Sequence, residues 1–204
     1  MISIIDYNIG NISAVVNMLQ RLGLECRVAT RAADIEQSDH IILPGNGAFD
    51  ACMQNFRASG LIPILEKQVL ELGKPLLGIC VGAQMLGLGS AEGDELGLGW
   101  INMQVKRFPD LSNLRIPHMG WNQVITCKNE HKIAQNITVD TRFYFVHSYY
   151  MIPKNSADVL FQTHYGIDFA AGVAHKNIVG VQFHPEKSHS FGKKLFNAFA
   201  KWNP

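Results

Sequence analysis

Short apolar runs and helically spaced apolar residues alternate along the first ninety positions of the chain. Ile2-Ser3-Ile4-Ile5 is one such run, and Ile12, Val15, Val16, Leu19 and Leu22 then recur at intervals that line one helix face. A Gly10-Asn11 turn joins them, with Asn11 placed to cap the helix. The pattern continues with strands at Cys26 to Ala29 and His40 to Leu43, the second running into Pro44-Gly45-Asn46-Gly47. Helices from Ala48 to about Arg57 and from Leu61 to Leu72, then a strand from Leu76 to Ile79, complete the alternation. Continuous apolar strands between helices predict a doubly wound, mostly parallel α/β sheet of flavodoxin-like type with helices on both faces.

From Trp100 onward the texture changes. Alternating segments at Ile101 to Phe108, Asn122 to Cys127, Phe143 to His147, Val159 to His164, Gly172 to His175 and Ile178 to Phe183 predict additional strands, several antiparallel. A last helix carries Phe191, Leu195, Phe196, Phe199 and Trp202 on one side. No repeat, low-complexity stretch or linker divides the chain, so residues 1–204 are expected to form one domain.

Composition narrows the function classes. A chain of 204 residues with 47% hydrophobic content can bury a full core. Eighteen basic against 17 acidic residues, with no Lys/Arg run, exclude a nucleic-acid or membrane surface and suit a small neutral or zwitterionic ligand. The longest uncharged stretch, Pro75 to Ala91, has 17 residues with four glycines, short of the roughly 20 apolar residues of a bilayer span. Met1 to Asp6 has no basic flank and reads as a strand, not a signal peptide. Cysteines at 26, 52, 80 and 127 form no CxxC pair, so neither zinc nor a disulfide framework is expected, and a reducing cytoplasm is the natural setting. No HExxH, GxGxxG or GxxxxGK[ST] pattern occurs, so no metal and no cofactor is expected. His131 and His175 are expected at the surface, and Trp202 in packing.

The candidate chemistry lies at Cys80. Gly78-Ile79-Cys80-Val81-Gly82 places a cysteine between strand and helix with glycines two before and two after, the sulfur counterpart of the Gly-x-Ser-x-Gly elbow. The glycines allow close approach at a strained apex, and the helix amino terminus favours a thiolate. A buried structural thiol is the alternative. Three glycine-bearing loops, Tyr7 to Asn11, Pro44 to Gly47 and the elbow, lie at strand carboxyl ends, where open α/β sheets bind ligands. A cysteine nucleophile needs a base and an orienting group. In Gly180-Val181-Gln182-Phe183-His184-Pro185-Glu186, side chains two apart in extended backbone point the same way, so His184 and Glu186 can serve one site.

Gly78 to Gln84 together with His184-Pro185-Glu186 resembles the triad class of glutamine amidotransferases. Leu43-Pro44-Gly45-Asn46-Gly47-Ala48-Phe49, Pro117-His118-Met119-Gly120-Trp121-Asn122, Tyr144-Phe145-Val146-His147-Ser148-Tyr149 and His184-Pro185-Glu186-Lys187-Ser188 narrow the resemblance to the glutaminase subunits of imidazole glycerol phosphate synthase, across the whole chain. The resemblance implies Cys80 as nucleophile, His184 as acid and base, and Glu186 as its orienter. It implies an oxyanion hole from Val81 and the Gly45, Asn46, Gly47 strand. Glutamine contacts fall to Gly47, Gln84, Glu92, His147, Ser148 and Tyr149. Asn11, Trp121, Tyr144 and Lys187 match positions facing a (β/α)8-barrel cyclase partner, which takes the ammonia in histidine biosynthesis.

Two positions depart from the family pattern. Asn8 stands where glycine is usual, and Asn46 replaces valine in the oxyanion strand, which is thought to reorient a peptide when the partner activates it. Asparagine tolerates left-handed backbone better than a β-branched residue, so the isolated chain is expected to show more basal glutaminase activity than an Asn46→Val variant. His189-Ser190-Phe191-Gly192 is closer to paralogues that supply ammonia to sugar amidotransferases of bacterial surface polysaccharides. An inactive scaffold and a stand-alone cysteine hydrolase are the readings from other classes. The intact Cys80, His184 and Glu186 argue against the scaffold, and the glutamine-site match argues against the hydrolase.

Overall fold

A computed structural model describes residues 1–112 and 114–204. Strand β1 (Ile2–Ile5) leads through α1 (Ile12–Arg21) to β2 (Cys26–Ala29), and α2 (Ala32–Glu36) leads on to β3 (His40–Leu43). Helices α3 (Phe49–Ala58) and α4 (Ile62–Glu66), the latter running into a π-helical turn at Lys67–Glu71, precede β4 (Leu76–Ile79) and a single helical turn, α5 (Val81–Gln84). There follow β5 (Gly89–Ser90), β6 (Met103–Arg107), β7 (His118–Gln123), β8 (Ile125–Thr126), β9 (Arg142–His147), β10 (Tyr149–Pro153), β11 (Val159–Tyr165), β12 (Ile167–His175) and β13 (Ile178–Val181), and α6 (His189–Ala200) closes the chain.

The main sheet runs β2-β1-β3-β4-β13-β12-β10-β6-β5, with β11 attached to β12 and β8 to β11, while β7 and β9 form a separate ribbon. The first five of these strands are parallel. Beyond β13 the pairings with β12, β10 and β6 are antiparallel. The parallel part has the doubly wound order expected, with β13 entering beside β4 from the far end of the chain. Strands β1, β3, β4 and β13 are buried along their whole length, which explains their unbroken apolar runs. Helix α1 packs with α6, whereas α2 packs with α4 and α3 with α5. Right-handed crossovers put these groups on opposite faces. No helix among the described residues is long and apolar enough to cross a membrane.

Several local expectations change. Asn11 precedes α1 but makes no side-chain capping bond. The helix expected over Leu61 to Leu72 is α-helical only to Glu66. The helix after Cys80 ends at Gln84 because Gly87 N–H turns back to the Gln84 carbonyl and Leu88 N–H pairs with Met103. His131 is half-buried beside Trp202, with ring centroids 5.1 Å apart, and half-buried His175 bonds Asp158 at 3.1 Å, so neither is a free surface group. Trp202 packs into the core as expected.

Candidate active site

The elbow is strained and close-packed. Cys80 has φ 53° and ψ −113°, a backbone that L-residues rarely adopt. Its N–H donates to Val181 O at 2.8 Å, tying the apex to the end of β13. A Cβ on Gly78 would lie 2.8 Å from Ala83 Cα, and one on Gly82 would strike the Leu43 carbonyl. The second glycine therefore serves the contact between α5 and β3, a finer role than strand–helix approach alone. Gly45 lies against Gly82, with its virtual Cβ 2.9 Å from Val81 C. Cys80 opens on a cavity of about 400 Å³ shared with Asn46, Gly47, Gln84, Glu92, Ser148, Tyr149, His147 and His184. Val81 also lines it, and as the first residue of α5 its N–H has no helical carbonyl to bond.

His184 follows β13 and is buried with its partner: Nδ1 lies 2.7 Å from Glu186 Oε1. The backbone fixes it on two sides, since His184 N–H donates to Tyr144 O at 2.8 Å and Ser188 Oγ donates to His184 O at 2.6 Å. Burial disfavours the imidazolium, yet hydrogen bonds and charge from Cys80 and Glu186 outweigh it and raise His184 to about 10. A protonated imidazole beside the thiol, held by a carboxylate, is the arrangement that delivers a proton to a leaving amine.

The opposite wall is polar but uncharged. His147 Nδ1 lies 2.7 Å from Tyr149 O, which can only accept, so Nδ1 carries the proton and Nε2 accepts from His118 Nδ1 at 3.0 Å. His118 Nε2 in turn accepts from Asn122 Nδ2 at 3.3 Å, and Asn122 also donates to His164 O. His118 is sandwiched between Phe145 and Tyr165, with centroids 4.7 and 4.0 Å away. Burial lowers His147 to about 3 and His118 to about 4.

Both imidazoles hold protons more tightly in the unfolded chain, near pKa 6.5, so stability falls as pH drops below about 6.5. His184 acts oppositely: its contribution is complete below about 6.5 and is lost as pH rises toward 10. The melting temperature is expected to peak near neutrality. On the acid side, near pH 5, the two histidines contribute roughly two protons of slope, of which His118→Phe removes about one. Thermal melts from pH 4.5 to 8.5 read both effects.

The loops around the cavity explain other residues. Tyr7 Oη donates to Pro44 O at 2.7 Å, and a Cβ on Gly10 would lie 3.3 Å from Pro44, so the loops at 7–11 and 44–47 touch. Asn8 has φ 66°, the left-handed region where glycine and asparagine substitute for one another, which accounts for its departure from glycine. Asn46 is not in that region here. Its carbonyl accepts the Cys52 thiol at 3.3 Å. Burial pushes Cys52 up to about 11, so it remains a donor. Glu92, on the loop after β5, accepts the Phe49 N–H at 3.0 Å and thereby caps α3, while also lining the cavity. Burial raises its carboxyl above the usual range, partly offset by that bond.

Lys187 lines the cavity mouth, with Nζ 6.0 Å above the Tyr144 ring, and Trp121 meets Tyr144 edge-on at 6.2 Å. Trp121 is 45% exposed and stacks face to face on His189. Three of the four residues assigned to the partner face are thus one cluster, and Asn11 lies half-exposed before α1. Gly45 alone among the assigned oxyanion residues packs behind the cavity wall. Sequence reasoning missed Gln182, Ser188 and the partnership of His118 with His147. The signal for Gln182 was a polar residue in a buried strand end, two before His184.

Comparison with known proteins agrees with this geometry. Residues 3–202 match the family described as Glutamine amidotransferase class-I. The chain is 52% identical, over 98% of its length and 99% of the relative's, to imidazole glycerol phosphate synthase subunit HisH 2 of Pseudomonas aeruginosa. It is 43% identical, over 98% of itself and 100% of the relative, to subunit HisH of Bdellovibrio bacteriovorus. In fold it resembles the structure of PurLQS from Thermotoga maritima, with TM-score 0.75, 19% identity and coverage of 97% of this chain and 96% of that one. It likewise resembles the glutaminase domain of Trypanosoma brucei CTPS with bound acivicin, with TM-score 0.66, 14% identity and coverage of 100% and 94%. The chain belongs to the class-I glutamine amidotransferases and, within them, to the imidazole glycerol phosphate synthase HisH subunits.

Proposed function

We propose that the chain, as one domain in the cytoplasm, hydrolyses glutamine at Cys80 and passes the ammonia to a (β/α)8-barrel cyclase subunit in histidine biosynthesis. The observation that carries this is the meeting of Cys80 with His184, itself held from behind by Glu186, in a cavity where the buried Gln84 Oε1 has no partner among the described residues. A buried acceptor left open is suited to a substrate donor.

Cys80 sulfur attacks the side-chain amide carbon. The negative charge that develops on oxygen meets the Val81 N–H and one donor from the Asn46–Gly47 strand. His184 gives its proton to nitrogen as the C–N bond breaks, and ammonia leaves. Water then adds to the thioester, with its proton going to His184, and glutamate departs as the C–S bond breaks. Glu186 holds the imidazole through Nδ1 so that Nε2 serves the chemistry. His147, kept neutral, leaves His184 as the charged imidazole in the cavity.

Glutamine amidotransferases of this family work with a partner subunit. The Trp121 and Tyr144 pair at the cavity mouth, with Lys187 over the Tyr144 ring, supports that face for docking, since tryptophan and tyrosine are enriched among interface anchors. The test is glutamate release with and without the barrel subunit and its formimino nucleotide. Stimulation supports the histidine pathway, whereas release that ignores that nucleotide favours the surface-sugar reading, which full-length similarity to HisH subunits places second.

Asn46→Val is expected to lower basal release from the isolated chain by roughly 3- to 10-fold. This is the effect of about 1 kcal/mol of left-handed strain if the reoriented strand requires such backbone. Equal or faster turnover in the variant, measured without partner, refutes that role for Asn46.

A further inference from the structure

A fully buried side chain touches the sulfur and has no part in the chemistry above. Gln182 Nε2 lies 3.8 Å from Cys80 Sγ. Its orientation is dictated from the far side of the cavity. Tyr149 O can only accept, so Gln84 turns Nε2 toward it at 3.2 Å. A second hydrogen of the same Nε2 goes to Gln182 Oε1 at 3.0 Å. With its oxygen so engaged, Gln182 has only its NH₂ group to offer the sulfur. Flipping Gln182 would set donor against donor at Gln84 and bring a carbonyl dipole onto sulfur, two unfavourable contacts for one rotation. The main chain is held as well, since Gln182 N–H donates to Ala171 O at 2.9 Å.

We propose that Gln182 is a catalytic donor to the Cys80 sulfur, its amide N–H stabilising the anion that attacks glutamine. The proposal rests on Cys80 as nucleophile and deepens that reading. Hydrogen bonds to an ionised partner are stronger than neutral ones, so the bond favours the thiolate over the thiol. It acts twice in a turnover. It holds the anion before attack, and it meets the negative charge that returns when water's oxygen bonds to the acyl carbon, the C–S bond breaks and the electron pair stays on sulfur. The titratable groups around the sulfur are His184 with Glu186 behind it, and Tyr7 and Cys52 with Glu92 beyond. Gln182 itself carries no titratable group, so its donor is present at every pH.

The test is alkylation of Cys80 by iodoacetamide, in which an S–C bond forms and iodide leaves, followed against pH by mass spectrometry of the Cys80 peptide in the full chain. Gln182→Met keeps the volume and removes the donor, and Gln182→Glu replaces the donor with an acceptor. The profile is expected to move upward by about one pH unit in Gln182→Met and further in Gln182→Glu. A packing role alone leaves it in place. Alkylation needs no glutamine turnover, so a parent chain that alkylates normally but releases no glutamate with its partner refutes the glutaminase reading and not this one. In the parent chain the Gln182 side-chain amide resonances are expected to titrate with the sulfur and to lose that response in Cys80→Ala, which does not depend on the Gln182 variants folding. An unmoved alkylation profile in a folded variant, or amide resonances blind to sulfur ionisation in the parent, overturns the proposal.

Discussion

Cys80→Ser is expected to lower glutamate release by at least about 10⁴-fold, with the fold and partner affinity unchanged, because loss of the nucleophile in a hydrolytic triad removes covalent catalysis as a whole. The change is one atom, so packing is spared. What is lost is specific to sulfur: His184 is held up to about 10 by Cys80 and Glu186 together, a coupling that a hydroxyl with its far higher pKa does not reproduce. The serine variant should therefore also lower the His184 pKa, read by imidazole NMR titration. His184→Ala is expected to lose a similar factor, and the double variant little more, since the two groups act as a unit. Turnover above about 1% of the parent in Cys80→Ser contradicts nucleophilic catalysis at this position.

The second large effect is structural. Gly82→Ala adds one methyl group beside Val81, yet that methyl lands on the Leu43 carbonyl and within 3.0 Å of Pro44 C, both main chain. Backbone of a buried strand cannot step aside as a side-chain end can. Gly82 has no positive φ, so the whole penalty is steric. A loss of about 3 kcal/mol or more is expected, and a fall in melting temperature of roughly 6–12 °C. Because Leu43 leads directly into Gly45 to Gly47, the folded remainder should also lose glutaminase activity. Gly89→Ala is the control: its methyl meets nothing nearer than 3.7 Å, and it is expected to cost under about 1 kcal/mol. Equal melting temperatures for the two variants would show that the elbow has room to spare.

The parallel half of the fold was legible because β1, β3, β4 and β13 are buried along their length and read as apolar runs, while the edge strand β2 was placed by its position in the β/α alternation. Strand β10 was not, since Tyr149 to Pro153 follows β9 after one residue and its half-buried tyrosines give no clean alternation. The triad was legible because elbow and strand-end chemistry are local in sequence. Gln182 and His118 were not, because their meaning lies in partners at Cys80 and His147, 102 and 29 residues away. A buried hydrogen-bond chain has no periodicity. Asn8 shows the reverse case, a departure that looked anomalous in sequence and is explained by a single backbone angle.

Strand β13 lies between β4 and β12, in the middle of the sheet, although it is the last strand in the chain. A ribosome releases β1 to β4 and the elbow long before it releases His184. During that interval the thiol has neither its base nor the Val181 carbonyl that pins its apex. Long-range parallel pairing is slow to form, and here it is the step that closes the sheet. Completion of the fold and arming of the sulfur are thus one event, and a chain caught half-made carries a cysteine but no glutaminase.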